Sequence, residues 1–487
     1  MIAELDDLIA RSRLRLNDLN RLRDLGIVAK DADFSPSGVH YPPITKYSPI
    51  TEDEMFAGYQ MPSDGRLDVY AHIPFCKTRC TFCHYPLKLG PKMVAEKDRY
   101  LAALEKEMDL YLRRLGVDRI NPRSILVGGG TPTFLTPEQF RRFLESFNKR
   151  VDLMSSSQFS YDVDPNTLLG ADGEERLRMM RDFGVHRLTI GIQSLNSDVL
   201  RLMNRHHGRD EAIEAIEASK KAGFQVNIEF IFGYPGQTLE NWAEVLEEAC
   251  QLDVEEIQLY RLKVEAYGDY QGPIKQVLEK NRQPVPTNED AIVMKQLAIE
   301  ILAKHGYKEQ ILRRVFTRHP EHYSHYAHNQ CCRLVDEVGF GLTAFSSLRD
   351  RFVLNTADFE EYYAKIEAGE LPVNRGLVRS KEDLIRWAVV LPLKNRTIRD
   401  RDFERVTGMK LQNVFPEKMR LLKEAGLVTE TKWGLSLTTL GCFFADEIVQ
   451  QFFEPHHLPF PPEDYANGPL HPLNNNQSFS ETLIAAE

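Results

Sequence analysis

The chain has 487 residues and a formal net charge of −10, with apolar and charged fractions of 42% and 27% that are ordinary for a soluble protein. That length predicts two or three domains with ample cores. The acidic balance argues against non-specific nucleic-acid binding, and no apolar run reaches the roughly 18 residues that a membrane-spanning helix needs.

Met1 to Val28 is periodic in leucine but studded with Asp, Glu and Arg, which excludes a secretory signal and predicts a surface amphipathic helix. The cytoplasm is the expected location. Ala29 to Asp64 is rich in Pro, Ser, Asp and Tyr and predicts an irregular lead-in. From Leu67, strands and helices alternate. The predicted strands are Leu67–Ile73, Ser124–Val127, Phe159–Val163, Arg187–Ile192, Val226–Phe232 and Glu256–Leu262. Helical patterns over Glu96–Leu115, Pro137–Asn148, Glu174–Phe183, Asp210–Ala222 and Leu239–Leu252 lie between them. Six βα units predict a parallel sheet, too short for a closed eight-stranded barrel.

Pro74 ends the first strand, and three of the seven cysteines follow within eight residues: Cys76, Cys80 and Cys83. They sit on a loop past a strand's C-terminal end, where α/β folds place their chemistry. Three crowded thiolates call for a soft metal partner. An iron–sulfur cluster held by three would leave one iron open to a small molecule. Zinc would need a fourth ligand, and His84 follows Cys83 too directly to serve without strain. A disulfide would leave one thiol over in a reducing compartment.

Gly128-Gly129-Gly130-Thr131 follows the second strand and suits close backbone approach to a ligand, or a tight turn. Polar residues end the later strands: Asp162 and Asp164, then Gln193, then Arg205 beyond the fourth strand, and Glu229 within the fifth. A strand carboxylate such as Glu229 needs a partner. His319, His322, His325 and His328 recur every third residue ahead of Cys331 and Cys332, either as a metal or heme site or as an aromatic-rich cover, although that spacing drifts around a helix. Gly339 to Ser346 is a Gly-rich turn. Asp383 to Phe453 reads as a small winged-helix-like unit, and the Pro- and Asn-rich end as a tail.

The Cys-x3-Cys-x2-Cys spacing resembles the signature of radical S-adenosylmethionine (SAM) enzymes. The longer run Tyr70-Ala71-His72-Ile73-Pro74-Phe75-Cys76 is similar to the oxygen-independent coproporphyrinogen III oxidase branch, which includes related heme chaperones and class C radical SAM methyltransferases. The resemblance spans about Asp68 to Phe453. It implies a partial, open (β/α)6 barrel with an α+β, winged-helix-like C-terminal domain. The chain would divide into a lead-in (1–64), a radical SAM core (65–300), an oxidase-like C-terminal domain (301–460) and a tail (461–487).

The resemblance further implies a [4Fe–4S] cluster on Cys76, Cys80 and Cys83, and SAM contacts from Tyr70, Gly129, Gly130, Thr131, Asp162, Gln193, Arg205 and Glu229. Phe82 and Phe345 would line a second SAM. The oxidase pattern has Glu at the place of Asp162 and Asp at that of Glu229. The oxidases also carry a cysteine two residues after the third ligand, where this chain has Tyr85. The chaperones' Asn-x-x-Tyr-Trp-like run is not matched by Asn329-Gln330-Cys331-Cys332. These departures lead to the expectation of C-methylation at an sp2 carbon of a planar conjugated substrate, a quinone or tetrapyrrole. A tetrapyrrole oxidase or decarboxylase and a heme-binding chaperone are the alternatives. A flavodoxin- or ferredoxin-type electron donor is the expected partner.

Overall fold

The computed structural model describes residues 2–30, 40–91, 93–262, 274, 280 and 286–479. Parts of the expected lead-in (31–39), of the core (within 263–285) and of the tail (480–487) lie outside the described residues. The single helix expected at the N-terminus is two, Ile2–Arg13 (α1) and Arg15–Asp24 (α2), parted at the exposed Leu14. Leu19 and Leu22 are buried from α2.

The six expected strands form, mostly a residue or two longer: Arg66–Ile73 (β1), Asn121–Gly129 (β2), Phe159–Val163 (β3), Arg187–Gln193 (β4), Gln225–Phe232 (β5) and Glu256–Arg261 (β6). They are adjacent in that order and all parallel. The helices between them are Val94–Leu115 (α3), Pro137–Arg150 (α4), Gly170–Asp182 (α5), Arg209–Lys221 (α6) and Leu239–Gln251 (α7). Local signals set their ends. Thr136 with Gln139 and Thr238 with Asn241 make capping boxes at the starts of α4 and α7, and Gly116 closes α3 in a left-handed conformation.

The sheet does not end at these six strands. Beyond β6 it adds Val315–Thr317 (β7), antiparallel, and then the two-residue strand Lys308–Glu309. Beside β1 it adds Glu337–Phe340 (β8), parallel, followed by Phe345–Leu348 (β9), Arg351–Asn355 (β10) and Val373–Val378 (β11), all antiparallel. With the two-residue strand Ser48–Pro49 paired antiparallel to β11, the described residues form an open sheet of 13 strands. An edge strand buried on both faces, as β1 would be, leaves its ladder unpaired; β8 supplies the missing partner.

Two apolar cores result. One runs through the sheet and its helices and takes in Val338, Phe340, Val353 and Val373 from β8, β10 and β11. The other joins Leu19, Leu22, Ile27 and Val28 to residues 385–479. The boundary expected at 300/301 falls inside the helix Asn288–Lys304 (α8), whose Leu297 and Ile301 enter the first core and Ile292 the second. The winged-helix-like unit is present: Thr397–Arg399 (β12), Val428–Thr431 (β13) and Gly434–Leu437 (β14) form a three-stranded sheet beside Lys381–Asn395 (α9).

At the N-terminal ends of the parallel strands the inner face is a network of buried polar groups. Arg187 on β4 donates from Nε to Glu256 on β6 at 2.6 Å, reaching past the intervening β5, and from Nη1 to Thr189 at 2.8 Å. Asp68 accepts from Ser124, Asn329 and Gln330, and Tyr326 donates to Glu337 at 2.5 Å. The His319–His328 segment thus covers the floor of the open barrel. His325 binds Ser157 through Nδ1, and its backbone amide donates to Gln158. Arg187 and Glu256 are 4% and 2% exposed, so removing one partner strands the other charge in a dry setting. Arg187→Ala should lose about 3–5 kcal/mol of stability. The double replacement Arg187→Met with Glu256→Leu should recover most of it. Urea unfolding of the three proteins, followed by circular dichroism, measures both.

Candidate active site

The cysteine loop is anchored by backbone bonds at its start. Phe75–Cys76 pairs in parallel with Lys88–Leu89. The amides of Gly130 and Thr131, just past β2, donate to the carbonyls of Ile73 and Phe75, both at 2.9 Å. This closeness explains the glycine run. A Cβ on Gly130 would stand 2.8 Å from the Phe75 carbonyl oxygen and 3.0 Å from Cys76 Sγ. A Cβ on Gly128 would stand 2.6 Å from Asp162 Oδ2. Gly129 has φ +124°, a conformation that side chains disfavour.

The three thiols are free and half-buried. Their Sγ atoms do not all lie within 4.8 Å of one another. Ligands of one tetrahedral zinc stand about 3.8 Å apart, given Zn–S bonds of about 2.3 Å, so the spread suits a larger group. Burial pushes the Cys76 thiol up to about 12, as for a ligand that gives up its proton only to a metal. Cys76 Sγ lies 3.4 Å from Thr131 Oγ1.

Arg205 Nη1 donates to Cys80 Sγ at 3.2 Å. Its Nη2 donates to Asp164 Oδ2 at 2.9 Å and to the Gly191 carbonyl at 2.6 Å, while its buried Nε has no hydrogen-bond partner among the described residues. Half-buried thiols beside a guanidinium with a donor to spare fit a cluster that would take them as thiolates and an anionic ligand on it such as the SAM carboxylate. A [4Fe–4S] cluster on Cys76, Cys80 and Cys83 with SAM at the open iron therefore matches the residues present.

Asp162 and Glu229 face each other across β4 from β3 and β5, and each keeps some accessible surface. Low-dielectric surroundings push both carboxyls up to about 7, and the charge of Glu229 raises Asp162 further. Thr189 donates to Asp162, and Tyr260 to Glu229. Gln193 ends β4 at φ +68°, a left-handed conformation that is rare outside glycine. Tyr70 OH lies 2.9 Å from His72 Nδ1.

The two phenylalanines have different surroundings. Phe82 packs against the small cluster of Val199, Met203, Ile231, Tyr234 and Leu262. Phe345, at the start of β9, stacks on Tyr70 with ring centroids 6.4 Å apart and lies beside His40 and Phe352. The four histidines of the 319–328 run do not converge on a common point: among the described residues, no three of their ligand atoms fall within 4.8 Å of one another.

Sequence reasoning undervalued Asp164, the partner of Arg205, and overlooked His207, whose Nδ1 lies 3.3 Å from Arg205 Nη2. The signal for His207 was its place in the Arg205-His206-His207 run. Nothing in the sequence pointed to Tyr260.

The carboxyl pair makes a pH prediction. In the folded apoprotein Asp162 and Glu229 titrate near 7, against about 4 in the unfolded chain. The folded state therefore holds extra protons, and their contribution to stability is present below pH 4 and lost as pH rises through 7. Glu229→Gln should gain stability relative to the parent across that window and level off above it. Thermal melts of both apoproteins from pH 4.5 to 8.5 test this; a pH-independent difference would show that Glu229 ionises normally.

Residues 70–249 match the radical SAM superfamily. The chain is 25% identical to the heme chaperone HemW of Bacillus subtilis over 389 residues, 79% of this chain and 98% of that one. It is 26% identical to the oxygen-independent coproporphyrinogen III oxidase of Pseudomonas aeruginosa, covering 79% of this chain and 85% of the other. In fold it is similar to the coproporphyrinogen III oxidase structure from Escherichia coli, with a TM-score of 0.68 and 24% identity over 84% of this chain and 95% of that one. Residues 70–249 thus carry a radical SAM domain, and over most of its length the chain is similar to proteins of the oxygen-independent coproporphyrinogen III oxidase branch and to their related heme chaperones.

Proposed function

We propose that this protein is a radical SAM enzyme that abstracts a hydrogen atom from a planar tetrapyrrole-like substrate. The observation that carries the reading is the placement of the cysteine loop at the mouth of an open parallel sheet, with Arg205 on Cys80 and the Asp162–Glu229 pair beside it. The oxidase and chaperone relatives, which match through the C-terminal strands, favour a tetrapyrrole over other conjugated rings. Cys76, Cys80 and Cys83 would hold a [4Fe–4S] cluster, which together with bound SAM would supply the radical chemistry of hydrogen-atom abstraction.

The protein's own residues bind, orient and shield. Arg205 places positive charge against Cys80 and offers Nε to a carboxylate. Asp162 and Glu229, held by Thr189 and Tyr260, accept hydrogen bonds from an amino group or from hydroxyls. The backbone of Gly129 and Gly130 lets a ligand approach without side-chain obstruction. Tyr70 and Phe345 form a stacked aromatic wall that suits a planar ring and excludes water.

Methyl transfer is the competing outcome. It would use Phe82 and Phe345 on a second SAM, and the packing of Phe82 against Ile231 and Tyr234 does not favour a shared role. A heme carrier working through His319–His328 is disfavoured by the engagement of His325 with Ser157 and Gln158.

The test is anaerobic turnover of the reconstituted protein with SAM, dithionite and coproporphyrinogen III. Formation of 5′-deoxyadenosine and methionine in step with substrate loss is expected. S-Adenosylhomocysteine in amounts matching a methylated product would establish methyl transfer instead. Replacing Cys76, Cys80 or Cys83 by Ala should abolish cluster absorbance and turnover. Arg205→Ala should keep the cluster and weaken SAM binding roughly tenfold or more.

A further inference from the structure

Arg379 follows β11 and is 4% exposed, yet its Nε, Nη1 and Nη2 all lack a hydrogen-bond partner among the described residues. Its surroundings share the condition. Trp387 Nε1, Tyr47 OH and His40 Nδ1 are likewise unpartnered, on side chains 4%, 7% and 9% exposed. The four residues come from three separate segments and meet around one ring. Phe352 lies 4.3 Å from His40 and 5.7 Å from Tyr47 between ring centroids, and 5.9 Å from the Arg379 guanidinium carbon. The indole of Trp387 lies 4.0 Å from the same carbon.

Buried polar groups in folded proteins are almost always paired, and a buried charge is paired or coordinated. Six unused polar atoms, three of them the guanidinium's own and three beside it, are therefore not ordinary packing. Two carboxylates lie close enough to act on the guanidinium by charge, but neither hydrogen-bonds it: Asp350 Oδ1 accepts from Arg351 at 2.7 Å, and Asp383 Oδ2 accepts from Ser380 in the capping box of α9. Asp350 gives Arg379 only its backbone carbonyl, which accepts from the Arg379 amide at 2.7 Å.

We propose that Arg379, with His40, Tyr47 and Trp387, forms a subsite for a carboxylate arm of the substrate. A guanidinium fork matches a carboxylate in two parallel hydrogen bonds. The indole N–H and the phenol O–H add neutral donors to the remaining lone pairs. The rings of Trp387 and Phe352 flank the guanidinium, whose carbon lies 4.0 and 5.9 Å from their centroids. The subsite is also joined to the active site. Phe352 stacks on Phe345 at 5.1 Å, and Phe345 stacks on Tyr70, which stands on β1 just ahead of the cysteine loop. A flat ring system lying against that aromatic wall would extend an acidic side chain toward Arg379. This inference rests on the proposed action on a planar conjugated substrate and adds that the substrate is an acid recognised at a distance from the reacting carbon.

The experiment compares the reconstituted full-length protein with its Arg379→Met and Arg379→Lys variants in two measurements. The first is the melting temperature without ligand. A buried guanidinium with no hydrogen-bond partner gains only the attraction of the Trp387 and Phe352 rings and loses its hydration, so Arg379→Met should melt at the parent's temperature or above. A fall of more than about 5 °C would show that the guanidinium has a structural partner and would overturn the proposal. The second is equilibrium dialysis against coproporphyrin III, 2-naphthoate and inorganic phosphate. Coproporphyrin III should bind the parent and bind Arg379→Met at least about tenfold more weakly, with Arg379→Lys between. If only 2-naphthoate binds in an Arg379-dependent way, the carboxylate subsite stands and the tetrapyrrole reading fails. Dependence on Arg379 for phosphate alone, equal binding of both acids by parent and Arg379→Met, or no binding of either acid to the parent would each overturn the proposal.

Discussion

The backbone bonds that tie the cysteine loop to the end of β2 are the constraint on which the rest of the site depends. The amides of Gly130 and Thr131 reach the carbonyls of Ile73 and Phe75, and Phe75–Cys76 forms its own short ladder with Lys88–Leu89. These contacts fix Cys76 against the sheet before any metal binds. They also require an approach so close that a methyl group at residue 130 would collide with both the Phe75 carbonyl and the first thiol. The cluster loop and the glycine run are thus one structural unit, although 46 residues separate Cys83 from Gly129 in the sequence.

From that unit the inner face of the sheet carries buried polar groups from its floor to its mouth. At the floor, Arg187 and Glu256 are paired, and Asp68 collects donors from three directions. Arg187 also binds Thr189, and Thr189 binds Asp162, so the floor reaches the mouth through one relay. At the mouth the carboxyls of Asp162 and Glu229 are pushed up to about 7, and Arg205 Nε has no hydrogen-bond partner among the described residues. The floor groups are tied into pairs, with Glu256 Oε1 and Glu337 Oε2 keeping unused acceptor capacity, while Arg205 at the mouth keeps an unused donor.

Much of this was legible from the residues. Strand and helix periodicity placed the six βα units because each element has one dominant apolar pattern and a recognisable cap, as at Thr136 and Thr238. The cysteine spacing identified the loop because three thiols in eight residues have few uses. The continuation of the sheet through β8–β11 was not legible. Glu337–Phe340 is four residues long, and its pairing with β1 joins segments more than 260 residues apart. Local pattern carries no information at that separation. The His319–His328 run misled for a related reason: histidines at regular spacing suggest ligands, and only the tertiary structure shows His325 turned to Ser157 at the barrel floor. Arg379 had no signature, since an arginine after a strand is ordinarily a surface charge.

The continuous ladder from β1 into β8 and on through β11 has a mechanical meaning. Strands that exchange backbone hydrogen bonds with the core cannot swing away as a lid without breaking the sheet. The wall bearing Phe345 and Phe352 is therefore stationary relative to the cysteine loop. Any ligand that enters this site must therefore pass elsewhere on the rim, and it meets an aromatic wall held at a fixed distance from the cysteine loop.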